Sequence, residues 1–167
     1  MKKTLFRYIL LIIPLTILQA GNETGTTNSK DNELLQSLPI ERDILSYLGL
    51  DLKAIFIILG VPQEIFSYRG DKEEYDDVVF YYDNHLYLFW FQNRVWVIRV
   101  DERFTESFLG IHMGMPKKEV INIINRPYKE LEDSLIFFLK DQGYPVRLRL
   151  FFENESLTDA YLFRGDF

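Results

Sequence analysis

The chain of 167 residues is 47% hydrophobic and 16% aromatic, enough to pack one domain and too apolar for a disordered chain. Its 19 basic and 25 acidic side chains leave a net charge of −6, which disfavours nucleic acid and anionic lipid as partners. The absence of cysteine excludes disulfides, thiolate metal sites, a cysteine nucleophile and a lipid-modified N-terminal cysteine.

Residues 1–20 read as a signal peptide. Lys2, Lys3 and Arg7 form a basic start, residues 5–18 are almost wholly apolar, and Gln19-Ala20-Gly21 offers small residues at a cleavage site. The apolar run is short of the roughly 20 residues that a bilayer span needs. Leu18 stands where a small residue is preferred, so an uncleaved anchor is the alternative. On either reading the bulk of the chain is exported, to the periplasm or the medium. Cleavage removes three basic side chains, leaving 16 against 25 acidic ones, a balance of −9. Residues 21–32, rich in Gly, Thr and Asn, read as a flexible tether, and 33–167 as a single domain.

Within that domain, Leu34, Leu35, Leu38, Ile44, Leu45 and Leu48 predict short helical turns interrupted at Pro39. Asp51 caps a helix whose Leu52, Ile55, Phe56 and Leu59 share one apolar face, and Gly60-Val61-Pro62 ends it. Residues 78–82, 85–91 and 94–100 are β-branched and aromatic, separated by Asp83-Asn84 and Gln92-Asn93. They predict a three-stranded antiparallel meander. A second helix opens at Pro116, buries Val120, Ile121 and Ile124, and closes at Asn125 and Pro127. Its strands are 135–139, 146–152 and 157–164.

The two halves align without a gap. Leu48-Gly49-Leu50, then Leu52, Ile55, Phe56, Leu59 and Pro62, matches Met113-Gly114-Met115, then Lys117, Val120, Ile121, Ile124 and Pro127. The expected fold is therefore α+β: two tandem helix-plus-three-strand-meander units, about 41–100 and 103–167, with the helices packed on one face of an antiparallel sheet.

Residues 110–115, Gly-Ile-His-Met-Gly-Met, followed by a helix containing Glu119-Val120 and then Pro127, resemble the Gly-Met…Val…Pro signature of the BLIP/SmpA-OmlA superfamily. That superfamily includes beta-lactamase inhibitory proteins and the small outer-membrane-assembly lipoprotein E. The resemblance covers residues 48–164 as two copies and implies non-enzymatic protein binding in the envelope or outside the cell, with no cofactor. The chain departs from both groups in having neither a lipid-anchor cysteine nor cysteine pairs, and in Leu50 where the motif has Met. It also resembles exported proteins carrying Arg-Gly-Asp…Asp-Asp-Val-Val-Phe and a terminal Arg-x-Asp-Phe.

Strand alternation indicates where a partner docks. Val146, Leu148, Leu150 and Phe152 form one face of their strand, with Arg147, Arg149 and Phe151 on the other. Trp96, Ile98 and Val100 suit the core and leave Val97 and Arg99 opposite. Leu86, Leu88 and Trp90 do the same for Tyr87, Phe89 and Phe91. The candidate partner-binding face is Tyr87, Phe89, Arg99, Arg147, Arg149 and Phe151, a mixture of arginine and aromatics favoured at interface hot spots. The bland alternative is that loops cover the phenylalanines and local acids pair the arginines.

Other motifs carry less. Arg69-Gly70-Asp71 and Arg164-Gly165-Asp166 match an adhesion tripeptide, better read as turn glycines between surface charges. Asp71, Glu73, Glu74, Asp76 and Asp77 lack the spacing of a calcium loop. His85 and His112 have no nearby serine elbow and too few convergent ligands for zinc, so no catalytic or metal residue is assigned. Glu153 and Glu155 belong to a polar turn. The reading is a non-enzymatic module that binds another envelope or secreted protein, with no membrane span after cleavage. The alternative is a small-ligand or hydrolytic protein with a pocket between the units, and a third is a self-associating structural protein.

Overall fold

The structure, a computed structural model, describes residues 43–69 and 77–166. The expected signal peptide, the tether, the turns before residue 43, the acidic loop at 71–76 and the first Arg-Gly-Asp beyond Arg69 lie outside the described residues.

A short 3-10 turn, Ile44–Tyr47, is capped by Asp43, whose carboxylate accepts the Leu45 N–H at 3.1 Å and the Leu109 N–H at 2.9 Å. Helix α1 (Leu52–Leu59) starts where Asp51 accepts the Ala54 N–H at 2.9 Å, satisfying one of the orphan donors of the first turn. Strands β1 (Glu64–Tyr68), β2 (Asp77–Tyr82), β3 (Leu86–Phe91) and β4 (Arg94–Asp101) follow. Helix α2 (Lys117–Ile124) opens at Pro116 and closes at Asn125 in the left-handed conformation. After it come β5 (Tyr128–Glu130), β6 (Ser134–Phe138), β7 (Val146–Glu153) and β8 (Ser156–Arg164).

All eight strands form one antiparallel sheet in the order β1-β2-β3-β4-β8-β7-β6-β5. The last strand of each half meets the other at the centre, and each half runs outward to an edge. This overturns the expected helix-plus-three-strand units: each helix is followed by four strands, and the product is a single eight-stranded sheet with two helices on it. The strands that the sequence hid are the edges. Every residue of β1 and β5 is exposed, so neither needs the apolar alternation by which a strand is recognised.

The two Gly-centred segments do the same work in each half. Gly49 N–H donates to Val95 O at 2.8 Å and Val95 N–H to Leu50 O at 2.9 Å. Gly114 N–H donates to Leu157 O at 2.8 Å and Leu157 N–H to Met115 O at 3.0 Å. Each segment thus pins the start of a central strand before its helix begins. Both glycines have φ near +80°, a conformation that costs a residue with a Cβ. The turns agree too: Gln92-Asn93 and Asn154-Glu155 have positive φ at both central residues, as the type I′ connection requires.

One face of the sheet is covered. Leu86, Leu88, Ile98, Val100, Leu148, Leu150 and Leu162 are buried there against Ile55 of α1, Val120 of α2, and Phe104, Phe108 and Ile111 of the connecting loop. Three core expectations need correction. In α2 only Val120 is fully buried, and Ile121 and Ile124 pack half-buried against the core because they flank the line of contact with the sheet. Phe56 is 39% exposed, and Ala54 takes a buried place beside Ile55, because the helix presents that edge to the sheet. Trp96 also leaves the core. Register shifts between Phe89 and Trp90, so that Phe89 faces Val97 while Trp90 faces Val95. Val95 fills the core position, and Trp96, the extra residue of the bulge, turns toward the other face. A matching shift lies between Phe151 and Phe152.

Candidate binding face

The face opposite the helices is built in rows of register partners. Tyr81, Tyr87, Arg99, Tyr161, Arg149, Ile136 and Lys129 stand at successive partner positions from β2 to β5. A second row runs Phe66, Val79, Phe89, Val97, Phe163, Arg147, Phe138. A third joins Asp101, Asp159, Phe151 and Ser134. The six residues assigned from the sequence therefore share one face, three in the first row, two in the second and one in the third. All six are half-buried.

Most of the arginines are held by neighbours. Arg99 forms a bidentate pair with Asp159, with contacts of 2.7 to 3.1 Å, and lies over the Tyr87 and Tyr161 rings at 5.2 and 5.5 Å. Hydrogen bonding to Asp159 outweighs burial and holds Arg99 more firmly protonated than usual. Arg149 donates to Ser134 Oγ at 3.0 Å, lies 3.4 Å from Asp133 and sits over Phe151 at 4.5 Å. Arg147 differs: it donates to its own Val146 carbonyl at 2.9 Å and stacks on Phe138 at 4.8 Å, without a carboxylate partner among the described residues. Burial pushes the Tyr87 and Tyr161 phenols up, with Asp101 and Asp159 adding to it, so both present neutral hydroxyls.

Sequence reasoning missed Tyr161 and Phe163, which carry the face across the centre of the sheet. In β8 both parities are apolar, Ala160 and Leu162 on one side and Tyr161 and Phe163 on the other, so alternation alone does not say which is buried. Phe66 and Tyr68 lie on the unrecognised edge strand; Tyr68 meets Phe89 edge-on at 5.8 Å.

At one margin of the face Asp101 gathers several donors. Tyr87 Oη donates to it at 3.0 Å, Arg103 from its backbone and side chain at 2.9 Å each, and His85 Nδ1 lies 3.7 Å away. Burial alone would raise its pKa, but the Arg103 and Tyr87 hydrogen bonds prevail and pull the carboxyl down to about 2. A folded-state pKa below the unfolded value means stability present above about pH 4 and lost as the pH falls toward 2. Asp101→Asn is expected to cost on the order of 1–2 kcal/mol at neutral pH and to flatten that acid limb, read by urea unfolding at pH 7, 4 and 2.5.

The other motifs resolve locally. Arg164 and Asp166 bind each other at 2.8 and 3.2 Å, with the guanidinium between the Trp96 and Tyr144 rings at 4.1 and 4.0 Å. Adhesion needs those two side chains splayed toward a receptor. His112 is exposed with Nδ1 2.8 Å from the Met113 carbonyl, and among the described residues no group of three or more His, Asp or Glu is placed to hold a metal ion. A cavity of about 420 Å³ lies beside the end of α2, lined by Leu45 of the first half and by Leu109, Ile123, Ile124, Arg126 and Leu139 among others of the second, and by neither histidine. Among the described residues no helix is long and apolar enough to cross a membrane.

No family model and no curated protein matches the chain. Two solved structures are similar to it in fold. One is a cysteine-rich secretory protein from Staphylococcus aureus, at 12% identity and a TM-score of 0.51, matched over 77% of this chain and 48% of that one. The other is an extracellular protein containing a SCP domain from Bacillus anthracis, at 12% identity and a TM-score of 0.52, over 76% and 47%. The chain spans about half the length of either. The likeness is one of fold alone, and it is to proteins described in these terms, not to an arrangement of two helix-plus-three-strand units.

Proposed function

We propose that this chain is an exported protein-binding module that docks a partner on the open face of its sheet. The observation that carries the reading is the row Tyr87-Arg99-Tyr161-Arg149, half-buried side chains of two types enriched at binding hot spots, on a face that neither helix covers. Arg99 is held by Asp159 and two rings, and Arg149 by Ser134 and Phe151. Such pre-ordered side chains lose little entropy on docking.

Export is supported by the basic and apolar N-terminal sequence, and by the secretory and extracellular descriptions of the two structures of similar fold. The resemblance of the Gly-Met segment at 110–115 to the BLIP/SmpA-OmlA proteins points the same way, to an assembly, scaffold or inhibitor-like role. The paired Gly49 and Gly114 contacts favour an internal repeat behind it. The second reading is a small-ligand protein, for which the helix-side cavity, with Arg126, Lys140 and Asp141 among its lining and neither histidine, is the candidate pocket.

The test is chemical crosslinking in cells of a tagged protein, with identification of what is captured. One defined partner is expected from the wild type, with its recovery reduced at least ten-fold by Arg147→Glu together with Arg149→Glu. Unchanged recovery in that double variant removes the face from the account.

A further inference from the structure

At one end of the open face lies a cavity of about 400 Å³ whose chemistry is more specific than that of the face as a whole. Its apolar lining includes Trp96, Phe138 and Phe163, with Ile136 and Val97, and its charged groups are Lys129, Arg147 and Arg164. Of these three cations, Arg164 alone has a carboxylate partner among the described residues, Asp166 at 2.8 Å. Two cations without a carboxylate partner among the described residues, beside one paired cation, in a chain with a net charge of −6, make a local positive field against the overall sign.

The geometry of the guanidiniums matters as much as their charge. Arg147 lies over the Phe138 ring at 4.8 Å and Arg164 over the Trp96 ring at 4.1 Å. Stacking occupies the flat face of a guanidinium and leaves the in-plane N–H groups free to meet a carboxylate. Arg147 uses one donor on its own Val146 carbonyl, so most of its fork stays available. The lining residue Val97 is the register partner of both Phe163 and Phe89, so the second row leads from the cavity along the face.

We propose that this cavity is the socket for an acidic, apolar segment of the partner protein. An aliphatic or aromatic side chain seats on Phe163 and Ile136, and an adjacent carboxylate is taken by Arg147 and Lys129. This rests on the binding-module reading and adds to it the chemistry of the partner: carboxylates next to large apolar groups, in a segment lying along the Phe163-Val97-Phe89 row.

The test uses isotope-labelled full chain purified after export, titrated with the blocked peptide acetyl-Asp-Leu-Phe-Asp-amide and its counterpart acetyl-Asn-Leu-Phe-Asn-amide. The acidic peptide is expected to shift the Trp96 indole and the backbone signals of Val97, Phe163 and Gly165. The amide peptide should bind at least ten-fold more weakly, as should the acidic peptide to Arg147→Gln. Phe138→Ala serves as a second variant, and Arg126→Gln, in the helix-side cavity, should bind as wild type. Signal dispersion in the free spectra checks folding. Equal binding of the two peptides, or shifts confined to other regions, overturns the proposal. A partner captured in cells through Phe89 and Phe151 but indifferent to Arg147→Gln removes the socket and leaves the module. Arg147-dependent binding of the acidic peptide without any captured partner supports the socket and overturns the module.

Discussion

Gly49→Ala is expected to destabilise the protein by about 3 kcal/mol, and Gly114→Ala by about 1 kcal/mol. The two glycines share a φ near +80° and the same pair of hydrogen bonds to the start of a central strand, so the backbone strain is common to both. They differ in what a Cβ meets. At Gly114 it enters open space, whereas at Gly49 it falls 2.8 Å from Tyr144 Oη and 3.4 Å from the ring carbon beneath it. Tyr144 has little room to retreat, because its hydroxyl donates to Leu48 O at 2.9 Å and its ring lies under Arg164 at 4.0 Å. The new methyl therefore costs both a displaced ring and a lost hydrogen bond. Urea unfolding of the two single variants measures the difference. Adding Tyr144→Phe to Gly49→Ala should recover about 1 kcal/mol, since the clashing oxygen is gone. Equal losses at the two glycines would show that contact with Tyr144 does not hold the first segment in place.

Phe89→Ala and Phe151→Ala are each expected to weaken partner binding about 30-fold, corresponding to about 2 kcal/mol per anchor. They stand in different rows and on different halves, so one footprint covering both spans the central β4/β8 pair. Phe151 has a second role. It carries the Arg149 guanidinium at 4.5 Å and meets the Tyr161 ring edge-on at 5.7 Å, so its loss also loosens two neighbours in the first row. Phe89 is supported by Tyr68 from the edge strand, and truncating either should act in the same direction. Phe56→Ala, an exposed phenylalanine on the helix side, supplies the control and should leave affinity within two-fold. Titration calorimetry with the captured partner reads all three.

The central strands were legible because they are buried on one face, and burial imposes the alternation that identifies a strand. The Gly49 and Gly114 segments were legible because a required positive φ leaves few residue choices. The edges were not. Glu64–Tyr68 and Tyr128–Glu130 are exposed throughout, so the sequence lacks the constraint that would mark them and predicts three strands in each half where there are four. Trp96 was misplaced because a bulge changes side-chain parity without changing composition. The six assigned face residues came together because β3 and β7 alternate without interruption, and because Arg99 lies beyond the extra residue that β4 carries at Trp96. Tyr161 and Phe163 escaped because both sides of β8 are apolar. The ion pair between Arg99 and Asp159 joins residues 60 apart in sequence and could be placed only once β4 and β8 were seen to be neighbours.

The most direct test of the open face is site-specific photocrosslinking in cells, with benzoylphenylalanine placed singly at Phe89 and Phe151 on that face and at Lys118 and Asn122 on the exposed side of α2. The account predicts one shared adduct from Phe89 and Phe151 and none from the helix positions. The same adduct from Lys118 or Asn122, with Phe89 and Phe151 silent, would contradict it and move the binding surface to the helices.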